Sequence, residues 1–480
     1  MARIYVTEPG TTGGVGAMGM RILVDALRRD GHEVRRVRFY RKVEAVQSSL
    51  FGGIQSEELS DARGLPRPDA WFVSLLHVRQ FWDLPDLFRR MGLALRSDMR
   101  ADSNPLIAFG GASMIQPMPV ADFADVIALG DGEATGTRIA RMFDAGATKQ
   151  DVIRELDGEQ GFWAPNRSPD ARLVRLETDI RDPVLRSGSD DTALDTIELA
   201  RGCESKCAFC PIGWAGGTYR EAPLESLKST MVQLRGKRVN FFAPDYSSVS
   251  YVEELEREIG RAGCKNGGRD ARLGAAHKHL RHGRGVKQYS FGIEGLSERL
   301  RRAVGKPLAR EKIVGVMSEL ESSGVAHVKW YMILGMPGEC DVDLAEFLAL
   351  LEDVRGVFTG SLDVTTTHIH AIAHTPLQWI DARYSDAATQ RKTAIFDTLR
   401  GWFQSGTIKN RWLQLNWNGR ELHESDAYLL RTGRAASVVL ESVNSNAAKV
   451  SDGRWRAHVS GIDAELSARA ESDRLPWDCV

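Results

Sequence analysis

The chain has little cysteine, almost no net charge and no long apolar run, and each scarcity excludes a class of function. Six cysteines in 480 residues are too few for a disulfide framework, which relies on densely paired thiols in a small secreted domain. None of the six lies in residues 1–202, while Cys203, Cys207 and Cys210 fall within eight residues. Lys plus Arg (63) nearly balances Asp plus Glu (64), leaving a formal charge of −1. That argues against a broad electrostatic grip on nucleic acid and leaves open only a local basic patch. There is no run of about 18 apolar residues, so no membrane span is expected. The N-terminus, MARIYVTEPG, reads as a strand and lacks the basic-then-apolar layout of a signal peptide. Neither GxSxG nor a P-loop occurs, so simple hydrolases and nucleoside triphosphatases find no support. What is present is ordinary for a folded chain, 42% hydrophobic and 26% charged. The length is roughly three times the ~150 residues of a common domain. These features predict a cytoplasmic protein of two or three domains with a metal site in a reducing compartment.

Strand and helix signals alternate over the first part of the chain. RIYVT, EVRRVRF, DAWFVSLL, PLIAFGG and ADVIALG are apolar runs ended by glycine or polar residues, and MRILVDALRRDG carries helical spacing up to Gly31. Such runs fit strands buried on both faces, with helices between them, in a parallel doubly wound sheet. The expected class is therefore α/β, beginning with a Rossmann-like domain over residues 1–146. Residues 147–190 are charged and irregular and read as a linker over the surface. Repeated strand–helix units over 191–384 predict a full or partial parallel (β/α) barrel. Residues 385–480 form a C-terminal helical and irregular extension, opening with a helix in ATQRKTAIFDTLRGWFQ.

The chemistry concentrates in Cys203-Glu204-Ser205-Lys206-Cys207-Ala208-Phe209-Cys210, a CxxxCxxC directly after the strand DTIELA. Three thiolates on so short a loop can hold three irons of a 4Fe–4S cluster and leave the fourth open to a small bidentate ligand. Zinc is the alternative, but structural zinc takes four ligands, and Cys264, Cys340 and Cys479 are scattered rather than paired. Unligated thiols are the remaining reading.

CxxxCxxC with an aromatic residue before its third cysteine resembles the radical S-adenosylmethionine (radical SAM) superfamily. IELARGC, GTYREAP, FGIEGLSERLRRAVGKP and VKWYMILGMPGE are similar to the branch that carries an N-terminal cobalamin-binding-type domain. AHTPLQW (373–379) and LHESDAYLLRTGR (422–434) resemble segments of an uncharacterised subgroup of that branch. The resemblance implies a 4Fe–4S cluster on the three cysteines, SAM, cobalamin as a third cofactor, and an electron donor of the flavodoxin or ferredoxin type. It implies Phe209 against the adenine, Arg220 (after Tyr219) facing the cofactor's carboxylate, and Glu294 near its ribose or methionine. Ala243-Pro244-Asp245 departs from the family's Gly-Gly-Glu, so Asp245 is divided between cofactor contact and helix capping. Gly335-Met336-Pro337-Gly338-Glu339 is expected to shape a strand-to-helix turn, with Glu339 early in the helix.

Gly14-Val15-Gly16-Ala17-Met18-Gly19 is a formal GxGxxG, yet Arg35, Arg36 and Arg38 stand where a dinucleotide site needs an acid. The resemblance instead implies a cobalamin-type domain, with Gly110 and Gly111 of AFGGAS and Gly130 and Gly132 of ALGDGEAT facing the corrin and its nucleotide tail. DxHxxG, which supplies a cobalt-ligating histidine, is absent, and His77 is the histidine nearest a strand end. His368, His370 and His374 are expected along one strand at the barrel mouth, and His277, His279 and His282 in a solvated connector. The implied activity is methyl transfer to an unactivated carbon. The alternatives are a radical SAM reaction without cobalamin (dehydrogenation, rearrangement or methylthiolation) and an iron–sulfur sensor or scaffold. A small molecule or peptide is the expected substrate, nucleic acid is not indicated, and no membrane is involved.

Overall fold

The computed structural model describes residues 1–9, 18–39, 57–59, 62, 64–168, 174–181, 184–185, 195–236, 238–266, 269–280, 286, 288–380, 386–406, 413–417, 420–434 and 436–442. Two compact units emerge. The first comprises Met1–Thr178, Ser187–Ala193 and Glu424–Val480, and the second Asp179–Arg186 and Leu194–His423. Among the described residues no helix is long and apolar enough to cross a membrane.

The first unit is built on a seven-stranded sheet. Its strands are β1 (Arg3–Thr7), β2 (Glu33–Phe39), β3 (Glu57–Leu59), β4 (Ala70–Ser74), β5 (Leu106–Gly110), β6 (Val126–Ala128) and β7 (Phe162–Trp163), in the order β3-β2-β1-β4-β5-β6-β7. All pairs are parallel except β6 with β7. The order reverses between β1 and β4, as in Rossmann-like sheets. Ile4, Val6, Ala70, Phe72, Leu106 and Ala108 are buried from this sheet beneath Met20, Val24, Leu27, Ile139 and Ala140 of the helices Met18–Arg29 and Gly132–Asp144. Gly31, at φ +86, ends the first helix, because the left-handed turn there is cheap only without a Cβ.

Part of the stretch expected as a linker is ordered structure of this unit. Thr148 and Asp151 form a reciprocal capping box that starts the helix Lys149–Leu156. Phe162 and Trp163 then pair with Ala128 and Ile127 as the sheet's antiparallel edge. Charge on the helix's outer face hid an apolar pair, Val152 and Leu156, that is fully buried.

The second unit is an open parallel barrel. Its strands are β8 (Val184–Leu185), β9 (Asp195–Glu198), β10 (Ala200–Arg201), β11 (Arg220–Glu221), β12 (Arg238–Phe242), β13 (Lys265–Asn266), β14 (Arg269–Ala271), β15 (Gln288–Glu294), β16 (His327–Leu334), β17 (Ser361–His368) and β18 (Leu413–Trp417). The orders are β13-β12-β9-β8, where β8 is an antiparallel edge on β9, and β14-β15-β16-β17-β18, with β10 and β11 a separate antiparallel ribbon. β13 and β14 are consecutive in sequence and pair in parallel with β12 and β15 respectively, so they link the two sheets. Alternate residues (Tyr289, Phe291 and Ile293; Val328, Trp330 and Met332; Leu362 and Val364) pack into one core with Ile313, Val316, Leu320, Phe347 and Leu350 of the helices. The opposite parity, including Ser290, Gly292, Lys329, Tyr331, Asp363 and Thr365, faces away from that core. The C-terminal residues do not stand apart: β18 extends the barrel sheet beside β17, and Tyr428 stacks on Trp82 within the first unit.

Candidate functional site

The cysteine loop is closed at its neck by the β10–β11 ribbon, where Ala200 and Arg201 pair with Glu221 and Arg220. Gly202 has φ +70, and a Cβ on it would lie 2.5 Å from Thr218 O, so the neck closes only around a glycine. Glu198 anchors the entry by accepting Arg201 Nε and Nη2 at 2.8 Å each. Inside the loop, Ser205 N–H donates to Cys203 Sγ at 3.4 Å, Trp214 Nε1–H to Cys207 O at 2.9 Å, and Lys206 Nζ to Gly213 O. Cys207 is 7% exposed, and Cys203 and Cys210 are half-buried.

Burial pushes the Cys207 thiol up, against the pull of the Lys306 and Arg272 cations. Burial likewise pushes Cys210 up, opposed by the backbone N–H groups of Ile212 and Gly213. The neighbouring Cys207 and Cys203 thiolates push it further up. Sheltered thiols with amide donors and two cations around them fit a thiolate-bound cluster, which binds as the protons leave. Among the described residues no three His, Cys, Asp or Glu side chains converge on one ion. A cubane asks for no such convergence, since each thiolate takes a different iron.

Glu294 stands at the end of β15 beside this loop. It has φ +72, and the β15–β16 register slips between Gly292 and Glu294. A positive φ on a residue with a Cβ persists only where its surroundings hold it. Here Lys306 Nζ donates to Glu294 Oε1 at 2.9 Å, with both side chains largely buried. Gly292 lies beneath the pair, and a Cβ there would collide with Glu294 Oε1 and Lys306 Nζ. Gly305 brings Lys306 in, since its Cβ position is 3.1 Å from Lys206 O and 3.7 Å from Cys207 Cα. Arg272, just after β14, reaches Ser205 Oγ on the loop's other flank. Lys306 lies in the segment FGIEGLSERLRRAVGKP but had no role assigned there, and Arg272 carried no signal; only the fold brings the two cations to the thiols.

The other expected site residues divide. Phe209 is partly buried and packs against the barrel core. Arg220 lies on the ribbon, with Nε donating to Thr218 O at 3.3 Å. Neighbouring Tyr219 donates to Glu221 Oε1 at 2.6 Å, and burial holds its phenol well above the usual range. Asp245 caps the turn Tyr246–Ser248, accepting Ser247 N–H at 3.0 Å and Ser248 Oγ–H at 2.5 Å, which is one of the two roles expected of it. Glu339 precedes the helix Asp341–Val357 rather than lying within it, because Cys340 is the N-cap. Its carboxylate turns back to accept Gly335 N–H at 3.0 Å and Met336 N–H at 3.4 Å, and Arg391 Nη1–H at 3.1 Å. The histidine strand is also shorter than expected. β17 ends at His368, whose ring lies 2.6 Å from a Cβ position on Gly335, and His370 and His374 fall beyond it.

In the first unit, two of the four glycines assigned to a corrin serve the protein's own backbone. Gly111, at φ +103, is approached by Leu75, whose N would lie 2.9 Å from a Cβ there. Gly130, at φ +142, forms a parallel bridge with Leu176, whose N would lie 2.8 Å from its Cβ position. Gly110 ends β5 and Gly132 opens the helix Gly132–Asp144, each with room for a methyl group. His77 is exposed and caps the turn Val78–Asp83, its Nδ1 accepting Arg79 N–H at 3.2 Å. The loop through Gly14, Val15, Gly16 and Ala17, the side chains of His277, His279 and His282, and Cys479 lie outside the described residues.

Comparison with known proteins agrees with the cysteine loop. Residues 19–165 match the family of N-terminal domains of radical SAM proteins, and residues 197–351 match the radical SAM superfamily itself. An uncharacterized protein of Methanocaldococcus jannaschii is 24% identical over 60% of this chain and 63% of its own length. The ribosomal protein uS12 methylthiotransferase RimO of Salinispora tropica is 26% identical over 64% of this chain and 60% of its own length. The chain thus spans less than two thirds of these curated relatives. Among solved structures, the cobalamin-dependent SAM radical enzyme OxsB with aqua-cobalamin bound shares the fold over 99% of this chain and 81% of its own, with a TM-score of 0.54 at 11% identity. With SAM also bound it aligns at a TM-score of 0.53 and 12% identity, over 83% of this chain and 56% of its own. Superfamily membership implies a 4Fe–4S cluster and SAM, for which the three cysteines are the fitting donors. The chain belongs to the radical SAM superfamily, with a domain over residues 19–165 of the kind found at the N-terminus of radical SAM proteins.

Proposed function

We propose that this protein is a cobalamin-dependent radical SAM methyltransferase acting on an unactivated carbon of a small molecule or peptide. One observation carries the reading: the complete cysteine loop is joined to a Rossmann-like unit, the whole sharing the OxsB fold. A cluster held there would supply the single electron needed for reductive cleavage of the sulfur–C5′ bond of SAM. The electron comes from a donor of the flavodoxin or ferredoxin type. Cys203, Cys207 and Cys210 hold the cluster, and Ser205 N–H steadies Cys203 Sγ. Glu294 and Lys306 present opposite charges beside the loop, as the ammonium and carboxylate of a methionine moiety require. Glu294→Gln is expected to weaken SAM binding about tenfold, the loss of one charged hydrogen bond, with iron content unchanged. Equilibrium dialysis against labelled SAM reads the affinity.

The cobalamin half has its own test. Anaerobic incubation with hydroxocobalamin followed by gel filtration should leave a corrin absorption band with the protein, and its absence would end that half. The second reading, a radical SAM enzyme without cobalamin, is favoured by Gly111 and Gly130, which the protein's own backbone occupies. RimO-like relatives bring methylthiolation to mind. Residues 1–202, however, hold no cysteine for the second cluster that methylthiotransferases carry in their N-terminal domain.

A further inference from the structure

The segment Ala373 to Trp379 stands out in the sequence, yet neither the sheet nor the cluster residues account for it. It is tied to the cysteine loop. Ala208 lies between Cys207 and Cys210, and both its backbone groups are engaged. Its N–H donates to Val304 O at 2.9 Å, and its carbonyl accepts Leu377 N–H at 3.3 Å. The Leu377 side chain packs against the same core as Ala208 and Phe209.

The segment is built to aim that N–H group. His374 has φ +63, a conformation sparsely populated by residues with a Cβ. Its N–H donates to Gln378 Oε1 at 2.9 Å, which closes the turn across its strained residue. Thr375 is 0% exposed, and its hydroxyl donates to Ile372 O at 2.8 Å. Gln378 N–H to Thr375 O at 3.0 Å and Ile380 N–H to Leu377 O at 3.3 Å complete the turn Pro376–Trp379.

We infer that this segment is a strap that holds the cysteine loop in the shape its cluster requires, with His374 and Gln378 as positioning residues. The inference rests on the radical SAM reading. A loop that offers three sulfurs to one cubane gains affinity when its backbone is already arranged, because less conformational freedom is lost on binding. Val304 fixes one side of Ala208 and Leu377 the other. Without the turn, Leu377 N–H is no longer presented and the middle of the motif is held from one side only.

The test uses the full chain, reconstituted anaerobically and then exposed to EDTA while the visible absorbance of the cluster is followed. Gln378→Ala is expected to lose the cluster about tenfold faster than the unmodified protein, the usual scale for an outer support of a metal ligand. Its metal-free form should keep its urea midpoint. Adding His374→Gly should return the rate toward the original, since glycine adopts a positive φ without Gln378. An unchanged rate in Gln378→Ala overturns the strap. So does a fall in the metal-free midpoint that matches the faster loss, or a double variant as labile as the single one. If the unmodified protein takes up no cluster at all, the superfamily reading fails first and the strap with it.

Discussion

Alanine at any one of positions 203, 207 or 210 should abolish SAM cleavage while leaving a folded protein. Each sulfur has a separate role in the loop, so loss of one is not made good by another. Cys207 is buried, Cys203 receives Ser205 N–H, and Cys210 lies by the amides of Ile212 and Gly213. The remaining scaffold does not depend on them. The ribbon β10–β11, the Gly202 neck and the Trp214–Cys207 carbonyl bond are all backbone or non-cysteine features. Production of 5′-deoxyadenosine with dithionite as reductant should fall to background in each variant, with far-UV circular dichroism unchanged. Turnover retained in any one of the three would remove that cysteine from the cluster. A sensor or scaffold is separated by the same assay, because it predicts no 5′-deoxyadenosine from the unmodified protein either.

Arg269→Met should bring the largest loss of stability, about 3–5 kcal/mol, as expected when one partner of a buried ion pair is removed. Arg269 at the start of β14 is 0% exposed, and its Nε donates to Glu256 Oε1 at 2.9 Å. The same oxygen accepts Tyr246 O–H at 2.6 Å, and the guanidinium lies 4.8 Å from the Tyr246 ring centroid and 5.0 Å from that of Phe241. These contacts join β12, the turn after it, the helix Val252–Ala262 and β14 at the place where the two sheets adjoin. Methionine fills much of the volume but leaves the Glu256 carboxylate buried without a cation. Arg269→Lys should recover only part of the loss, since an ammonium cannot reproduce the planar stacking. Urea denaturation followed by fluorescence reads the effect, and a midpoint within error of the unmodified protein would show that the pair contributes nothing.

The cysteine site was legible because its chemistry is written in eight consecutive residues, where spacing alone limits what the sulfurs can bind. Strands were legible for a similar reason: continuous apolar runs such as IYV and AWFV have nowhere to go but a sheet buried on both faces. Glu294 could be placed at a strand end, but its partner Lys306 and its left-handed backbone follow from the β-bulge, which no local pattern announces. Contacts distant in sequence were beyond reach. Glu339 meets Arg391 across 52 positions, and Ala208 meets Leu377 only because β17 returns to the rim that carries the cysteine loop. The glycines of the first unit were ambiguous for the opposite reason. A glycine needed for close approach of Leu75 or Leu176 has the same sequence signature as one needed for a ligand. The helix Lys149–Leu156 carried a readable start in Thr148-x-x-Asp151, but charge over its exposed face outweighed it.

The central claim is a cluster held by three cysteines with one iron left open to SAM. Electron paramagnetic resonance of the anaerobically purified, dithionite-reduced protein, recorded with and without SAM, tests it directly. A reduced 4Fe–4S signal that changes on adding SAM is expected. Zinc in place of iron, or a cluster signal indifferent to SAM, would contradict it.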